Sequence, residues 1–356
     1  MDPTDIKAAA SATTGLPIAP VDTTLSLDPE FAAAIQEIYQ SGMEKPAMKT
    51  AQDVRAFGDD LMSTIIRREP CLPAGQVIQT KHDITTFDGS IISVSRFATP
   101  EHRRQPGEGE ALRSAVLHVF GGGMVGSNVE IFAPFFERNT KRWDVQTFAV
   151  DYRIAPGNPA PGQVEDVYAA LKWLSGKARE FGVDPARLII RGDSSGGGVA
   201  AGTALLARDR GLSPPLAKQV LVYPMLDDRT IGRYGPDWPV RKFLGWDENS
   251  NKIGWSAYVG DDKAGKDNAD VSIYAAPGRA RAEDLAGLPR TYIDTPGLDL
   301  FRDEDLRYAQ TLSEAGVEVE FHLYPGVPHG FGIMGPATLG VVAGAHDNRS
   351  RAIKSV

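Results

Sequence analysis

The hydrophobic pattern of this chain changes along its length, from helical spacing near the start to short apolar runs later. Between residues 28 and 70 apolar side chains recur at the spacing of one helix face, and Pro70 and Pro73 close the region. This pattern predicts N-terminal helices with an apolar face that includes Phe31, Ile35, Val54, Phe57, Leu61 and Ile65. Residues 1–27, rich in Ala, Thr and Pro, are predicted to be a flexible N-terminus.

From residue 76 onward, short β-branched runs alternate with helical segments. Residues 76–87 and 90–97 predict an antiparallel pair around the turn Asp88-Gly89. Helices are predicted over 164–178 and 303–315, and buried strands over 115–120, 145–151, 188–191, 219–223, 291–294 and 317–323. This alternation predicts an α/β fold with a mostly parallel central sheet flanked by helices. Ligands of such sheets bind beyond the carboxyl ends of the strands.

Residues 226–284 interrupt the alternation. They contain no clear strand and carry aromatic side chains among Gly, Asp and Pro: Trp238, Phe243, Trp246, Trp255 and Tyr258. We interpret this segment as a helical insertion that forms a cap over the strand ends together with the helices of residues 28–70. Residues 71–225 and 285–356 then form the α/β core.

Composition and charge narrow the classes of function. The 356 residues are 42% hydrophobic and 24% charged with a net charge of −8, which argues against nucleic acid or an anionic membrane as a partner. The sequence contains no run of about 18 apolar residues, so no membrane span is predicted. The N-terminus lacks the pattern of a secretory signal. The single cysteine, Cys71, excludes an internal disulfide and is predicted to be buried or half-buried. We therefore expect a cytoplasmic protein.

Neither a metal nor a cofactor is expected from the sequence. No group of His, Asp and Glu residues has the spacing of metal ligands. The glycine-rich segments lack the spacing of a nucleotide-binding fingerprint.

Residues 192–196 read Gly-Asp-Ser-Ser-Gly and fit the G-x-S-x-G turn that exposes a nucleophilic serine. The short apolar run 187–191 precedes them and the small-residue segment 197–207 follows, which is the required strand–turn–helix context. The turn needs a strained serine and small neighbours, and the helix N-terminus directs N–H groups toward developing negative charge. The pattern predicts Ser194 as the nucleophile, with a structural glycine-rich turn as the alternative.

A serine hydroxyl needs a base, and His329 is the candidate among the six histidines. It lies in a Gly/Pro-rich loop directly after the last predicted strand, where it would meet Ser194 at the sheet edge. The other histidines are predicted to lie in strands, in a polar surface loop (His102) or in a loose C-terminal tail (His346).

The base needs a carboxylate to orient it, and several acids lie between residues 294 and 305. Asp299 is the leading candidate because it lies in a loop after a strand, and Asp294 and Asp303 are the alternatives. The chain order Ser194, Asp299, His329 is that of α/β-hydrolase triads.

Stabilisation of an oxyanion requires N–H donors. Three glycines, 121–123, follow the predicted strand that ends at Phe120, and they free the backbone to direct N–H groups into the site. The N–H group of Ser195 would complete this oxyanion hole. A glycine turn without a ligand is the alternative.

Taken together, these motifs resemble those of the hormone-sensitive-lipase-like carboxylesterases, the α/β-hydrolase group marked by G-D-S-A-G and H-G-G-G. The resemblance spans roughly residues 80–335 and rests on Phe120-Gly121-Gly122-Gly123, Asp151-Tyr152-Arg153-Ile154-Ala155-Pro156, Gly192-Asp193-Ser194-Ser195-Gly196-Gly197, Asp299-Leu300-Phe301-Arg302-Asp303-Glu304 and His329-Gly330-Phe331.

What the resemblance implies agrees with the reading of the residues. It implies Ser194, Asp299 and His329 as the triad, and an oxyanion hole made by the N–H groups of Gly121, Gly122 and Ser195. It also implies a cap built from the N-terminal region and an insertion, and a homodimer through the last strand and helix.

Three positions depart from the family pattern. Phe120 replaces the histidine of H-G-G-G, which is expected to loosen the oxyanion hole or reshape the pocket wall. Ser195 replaces the alanine after the nucleophile and Gly157 replaces a glutamate, and both changes are expected to have small effects.

The leading hypothesis is a serine carboxylester hydrolase that acts through an acyl-enzyme on small to medium apolar esters. A deacetylase or lactonase of secondary metabolism is a specialised form of the same hypothesis. The alternatives are a non-catalytic small-molecule receptor on the same fold, and amide hydrolysis or an elimination that uses the same triad.

Overall fold

A computed structural model describes residues 24–40, 46–107 and 109–356 of the chain. The flexible N-terminus predicted for residues 1–27 lies outside the described residues up to position 23. Residues 24–27 are described and form neither helix nor strand.

One mixed sheet organises the described part of the chain. Its eight strands lie in the order β1-β2-β4-β3-β5-β6-β7-β8. The pairs β1–β2 and β2–β4 are antiparallel, and every other neighbouring pair is parallel. The predicted mostly parallel sheet is therefore confirmed. The strands are β1 (Ile78–Thr85), β2 (Ile91–Ala98), β3 (Arg113–Val119), β4 (Gln146–Asp151), β5 (Val183–Asp193), β6 (Lys218–Val222), β7 (Arg290–Leu298) and β8 (Val319–Pro328).

Helices cover both faces of this sheet. Successive residues of β5 show this, because Ile189 packs with apolar side chains of α1 and α11 whereas Ile190 packs with those of α5 and α6. The helices are α1 (Pro29–Gln40), α2 (Ala51–Ile66), α3 (Pro100–Arg103), α4 (Val129–Trp143), α5 (Gly162–Lys177), α6 (Ser195–Asp209), α7 (Glu248–Val259), α8 (Ala282–Leu285), α9 (Arg302–Glu314), α10 (Phe331–Met334) and α11 (Gly340–Lys354).

The C-terminal segment differs from its prediction. The sequence suggested a loose tail, but residues 340–354 form α11, which packs on the sheet through Val342, Ala345 and Ile353. Arg349 of this helix makes two hydrogen bonds to the buried Asp294 carboxylate, at 2.6 and 2.8 Å. Arg349 therefore anchors this helix to β7. The prediction for Cys71 was also wrong, since its thiol is exposed.

The interrupting segment 226–284 contains α7, α8 and short 3-10 turns. The buried Asp228 near its start binds Arg279 near its end through two hydrogen bonds of 2.6 and 2.8 Å. Helix α7 contacts α2, and Asn249 donates a hydrogen bond to the Met48 carbonyl at 2.9 Å. The N-terminal helices and the insertion thus touch each other, although their division from the core as a cap stays a prediction.

Candidate active site

The turn between β5 and α6 presents Ser194 in a strained backbone conformation, with φ 57° and ψ −125°. The residues two positions before and two positions after it must be glycines because the chain passes very close to itself here. A Cβ atom added to Gly192 would lie 2.1 Å from the Gly196 carbonyl oxygen, and one added to Gly196 would lie 2.3 Å from the Phe120 carbonyl oxygen. The local sequence therefore permits a turn that few other sequences could form.

The structure brings the three predicted triad side chains together. Ser194 Oγ lies 2.9 Å from His329 Nε2, and His329 Nδ1 lies 2.7 Å from Asp299 Oδ2. Asp299 is fully buried, and its other carboxylate oxygen accepts a hydrogen bond from the Phe301 N–H group at 3.0 Å. Of the alternative acids, Asp294 binds Arg349 and Tyr292.

The other alternative, Asp303, binds Arg302 and Tyr234. Asp299 is therefore the carboxylate that contacts His329.

Sheet register positions the acid and the base. Strands β7 and β8 are parallel, and Leu298 pairs with Pro328, so that the next residue of each strand, Asp299 and His329, emerges at the same edge. The rings of Phe301 and Tyr223 pack edge-on against the His329 imidazole at centroid distances of 5.2 and 4.8 Å. The imidazole is thus held in one plane by its neighbours as well as by Asp299.

The turn of residues 192–196, which carries Ser194, is called the serine elbow below. The glycine loop after β3, residues 121–123, lies against this elbow. A Cβ atom on Gly121 would lie 2.7 Å from the Asp193 carbonyl oxygen, so only glycine permits this approach. The Gly122 N–H group donates a hydrogen bond to Ser195 Oγ at 3.0 Å. The Phe120 ring is buried and stacks on Tyr152 at 4.3 Å, while the Tyr152 hydroxyl donates to the Phe120 carbonyl at 2.8 Å.

A buried ionic cluster that the sequence reasoning missed lies beneath the elbow. Asp193 accepts two hydrogen bonds from Arg191 at 2.8 and 2.9 Å and contacts His118 Nε2 at 2.6 Å. Burial alone raises the pKa of Asp193, but Arg191 and His118 outweigh it and hold that pKa at about 2. Burial lowers the pKa of His118 to about 4. The signal in the sequence was Arg191 itself, a charged residue inside an otherwise apolar strand.

Two other histidines lie where the sequence did not predict them. His102 belongs to the short helix α3 and is buried, with its Nε2 atom 3.1 Å from the Asp144 carbonyl oxygen. His346 is buried within α11, and this burial lowers its pKa well below the usual value. Both predictions were wrong because each histidine contacts an element distant in sequence.

A cavity of about 190 Å³ opens on Ser194 and His329. Its wall is mainly apolar, and α2, α10 and the insertion all contribute to it. One insertion residue, Trp246, lies so close to the glycine loop that a Cβ atom on Gly123 would be 2.0 Å from its ring. The apolar lining includes Met48, Val54, Phe57, Leu61, Met62, Phe132, Trp246, Ile333 and Met334.

Within residues 24–40, 46–107 and 109–356, no group of three or more His, Cys, Asp or Glu side chains is placed to hold a metal ion. Over the same part of the chain, no helix combines the length and the apolar character needed to cross a membrane.

Residues 116–333 match a family model described as the α/β hydrolase fold. The esterase LipI of Mycobacterium tuberculosis (strain ATCC 25618 / H37Rv) is 35% identical over 229 residues, which are 64% of this chain and 67% of LipI. The carboxylic ester hydrolase LipN of the same strain is 31% identical over 289 residues, 78% of this chain and 72% of LipN. The chain thus spans about two thirds of the length of these curated relatives.

Solved structures of esterases match a larger share of the chain than the curated sequences do. A bacterial heroin esterase superposes with a TM-score of 0.77 at 33% identity, and the match covers 93% of this chain and 98% of that esterase. The hyperthermophilic esterase of Pyrobaculum calidifontis superposes with a TM-score of 0.75 at 27% identity, covering 93% of this chain and 99% of the esterase.

These matches confirm the predicted fold and the resemblance to hormone-sensitive-lipase-like carboxylesterases. The curated relatives are ester hydrolases, in agreement with the predicted enzyme class of serine carboxylesterases. With its serine, histidine and aspartate in contact beneath an apolar cavity, the chain belongs to the α/β-hydrolase family.

Proposed function

We propose that this protein hydrolyses small to medium apolar carboxylic esters through an acyl-enzyme on Ser194. The observation that carries the proposal is the unbroken contact from Ser194 Oγ to His329 and from His329 to the buried Asp299, at 2.9 and 2.7 Å. A bare serine hydroxyl is a weak nucleophile, and this arrangement supplies the base and the carboxylate that orients it.

The reaction follows from the contacts. Ser194 Oγ forms a bond to the ester carbonyl carbon while its proton passes to His329 Nε2. The imidazolium then donates that proton to the leaving alkoxide as the carbon–oxygen bond breaks. Water repeats the sequence and releases the acid, with its proton passing through His329 to Ser194. Asp299 stabilises the imidazolium in both halves.

The negative charge on the carbonyl oxygen needs donors on the opposite side from His329. We assign this role to the N–H groups of Gly121, Gly122 and Ser195, which belong to the glycine loop and the first residue of α6. The N-terminus of α6 adds the positive end of its dipole at the same place.

The cavity supports an acyl or alcohol group of modest size. A dry protein cavity of about 150 Å³ accommodates benzene, so the roughly 190 Å³ here suits a single aromatic ring or a short alkyl chain. A bovine relative that is 29% identical over 274 residues is named an arylacetamide deacetylase, and a structural neighbour is a heroin esterase. These names favour acetyl esters as the first substrates to test, with a lactone as the alternative and an aryl acetamide as the matched amide.

The test is hydrolysis of p-nitrophenyl esters with acyl chains from acetyl to decanoyl, by the wild type and by Ser194→Ala. We expect turnover that is fastest for the short chains and absent in the variant. Mass labelling by a serine-directed phosphonate should modify Ser194. Turnover that persists in Ser194→Ala, or labelling at a different serine, would remove the assignment. Binding without turnover would instead favour a receptor.

A cytoplasmic location and a homodimer through the last strand and helix stay predictions.

A further inference from the structure

One donor of the proposed oxyanion hole already has a partner in the resting protein. The Gly122 N–H group donates to Ser195 Oγ at 3.0 Å, and the Ser195 side chain is completely buried. A backbone N–H group forms one strong, nearly linear hydrogen bond at a time. The donor that should face a substrate oxygen therefore faces a side chain of the protein.

Ser195 Oγ is the acceptor in this contact, because a backbone N–H group can only donate. The nearby Tyr152 hydroxyl is engaged elsewhere, since it donates to the Phe120 carbonyl at 2.8 Å. Burial raises the pKa of Tyr152 far above its usual value, so this donor keeps its proton. Gly122 therefore has Ser195 Oγ as the partner of its N–H group.

We propose that the Ser195 side chain is a positioning residue that weakens the oxyanion hole by holding the Gly122 N–H group in the resting enzyme. The inference rests on the proposed esterase function and on the place of Gly122 in the hole. As negative charge develops on the substrate carbonyl, the oxyanion takes this N–H group from Ser195 Oγ. The stabilisation that the oxyanion gains is reduced by the neutral hydrogen bond that breaks.

Removing the Ser195 hydroxyl should have the opposite effect to removing an oxyanion donor. Ser195→Ala keeps the backbone N–H group at position 195 and removes only the competing acceptor. The Gly122 N–H group then has no internal partner and is free for the substrate oxygen. We expect kcat/KM to rise about 2- to 10-fold, the range that one neutral hydrogen bond spans, and we expect the gain mainly in kcat.

The experiment compares the wild type, Ser195→Ala and the matched control Thr203→Val. Thr203 lies in the same helix, is also fully buried, and donates its hydroxyl to the Val199 carbonyl at 2.8 Å. Each protein is assayed for p-nitrophenyl acetate turnover and for inhibition by an alkyl trifluoromethyl ketone, which forms an oxyanion when Ser194 adds to it. The matching unfluorinated methyl ketone, which stays a neutral carbonyl, measures ground-state binding.

The proposal requires both a higher kcat and tighter trifluoromethyl ketone binding in Ser195→Ala. It also requires a much smaller change in methyl ketone binding, and no such gain in Thr203→Val. If Ser195→Ala has an equal or lower kcat, or binds the trifluoromethyl ketone equally or more weakly, the proposal is overturned. This holds whether or not the substitution changes the melting temperature. A wild type without Ser194-dependent turnover would instead defeat the proposed function. The two failures are therefore distinguishable.

Discussion

Removing the guanidinium beneath the elbow should destabilise the fold more than removing the ion pair as a whole. Arg191 and Asp193 are each less than 5% exposed, and two hydrogen bonds of 2.8 and 2.9 Å join them. In Arg191→Met the Asp193 carboxylate loses both of these hydrogen bonds and keeps its 2.6 Å contact with His118. Leaving one charge of a buried pair without its partner costs about 3–5 kcal/mol.

The double variant Arg191→Met/Asp193→Asn removes both charges and keeps an amide beside His118. It should recover at least half of the lost free energy of unfolding, since no buried charge is left without an opposite charge. Urea unfolding followed by tryptophan fluorescence measures both variants against the wild type. A loss below about 1 kcal/mol in the single variant would refute the reasoning. So would a double variant that is as unstable as the single one.

Four further expectations concern the candidate active site and the residues around it. Asp299→Asn should lower kcat by about 10⁴ with little change in melting temperature, since the imidazole loses its charged partner. Trp246→Ala should enlarge the cavity beside Gly123 and shift the fastest p-nitrophenyl ester toward longer chains. Gly192→Ala should abolish turnover and lower the melting temperature, whereas the control Gly176→Ala, whose Cβ meets nothing within 4 Å, should not. The pKa of Asp193 in the folded state is depressed from 3.8 to about 2. Its contribution of about 2 kcal/mol to the free energy of unfolding is therefore present above pH 4 and is lost as the pH falls through 2. Unfolding free energies measured from pH 5 to pH 2 should decline less in Asp193→Asn than in the wild type.

The contact among Ser194, His329 and Asp299 could be predicted from the sequence because each of these residues follows a local rule. Ser194 lies in a turn that only small residues permit, and Asp299 and His329 come directly after strands that end at one sheet edge. Chain order and strand ends therefore sufficed to select these residues, and the sheet register explains why they meet.

The contacts that the sequence did not reveal join residues far apart in the chain. Arg349 reaches Asp294 across 55 positions, and Gly122 reaches Ser195 across 73. No periodicity marks such pairs, since a buried arginine and an exposed one occupy similar places in an amphipathic helix. The role of Ser195 was also hidden because serine in the first turn of a helix is an ordinary residue. Only the positions of the backbone and side-chain atoms show that its hydroxyl oxygen accepts the Gly122 N–H group.

The ion pair of Asp228 and Arg279 joins a residue near the start of the insertion to one near its end. The Gly278 N–H group also donates to the Leu226 carbonyl at 2.9 Å, so that the base of the insertion is closed by several contacts. The entropy of closing this loop is therefore set mostly at its base, and added length between the ends costs little more. Segments of different length and shape could replace the interior while β6, β7 and the serine elbow keep their places. Such an exchange would change which substrates fit while the reacting groups stay the same.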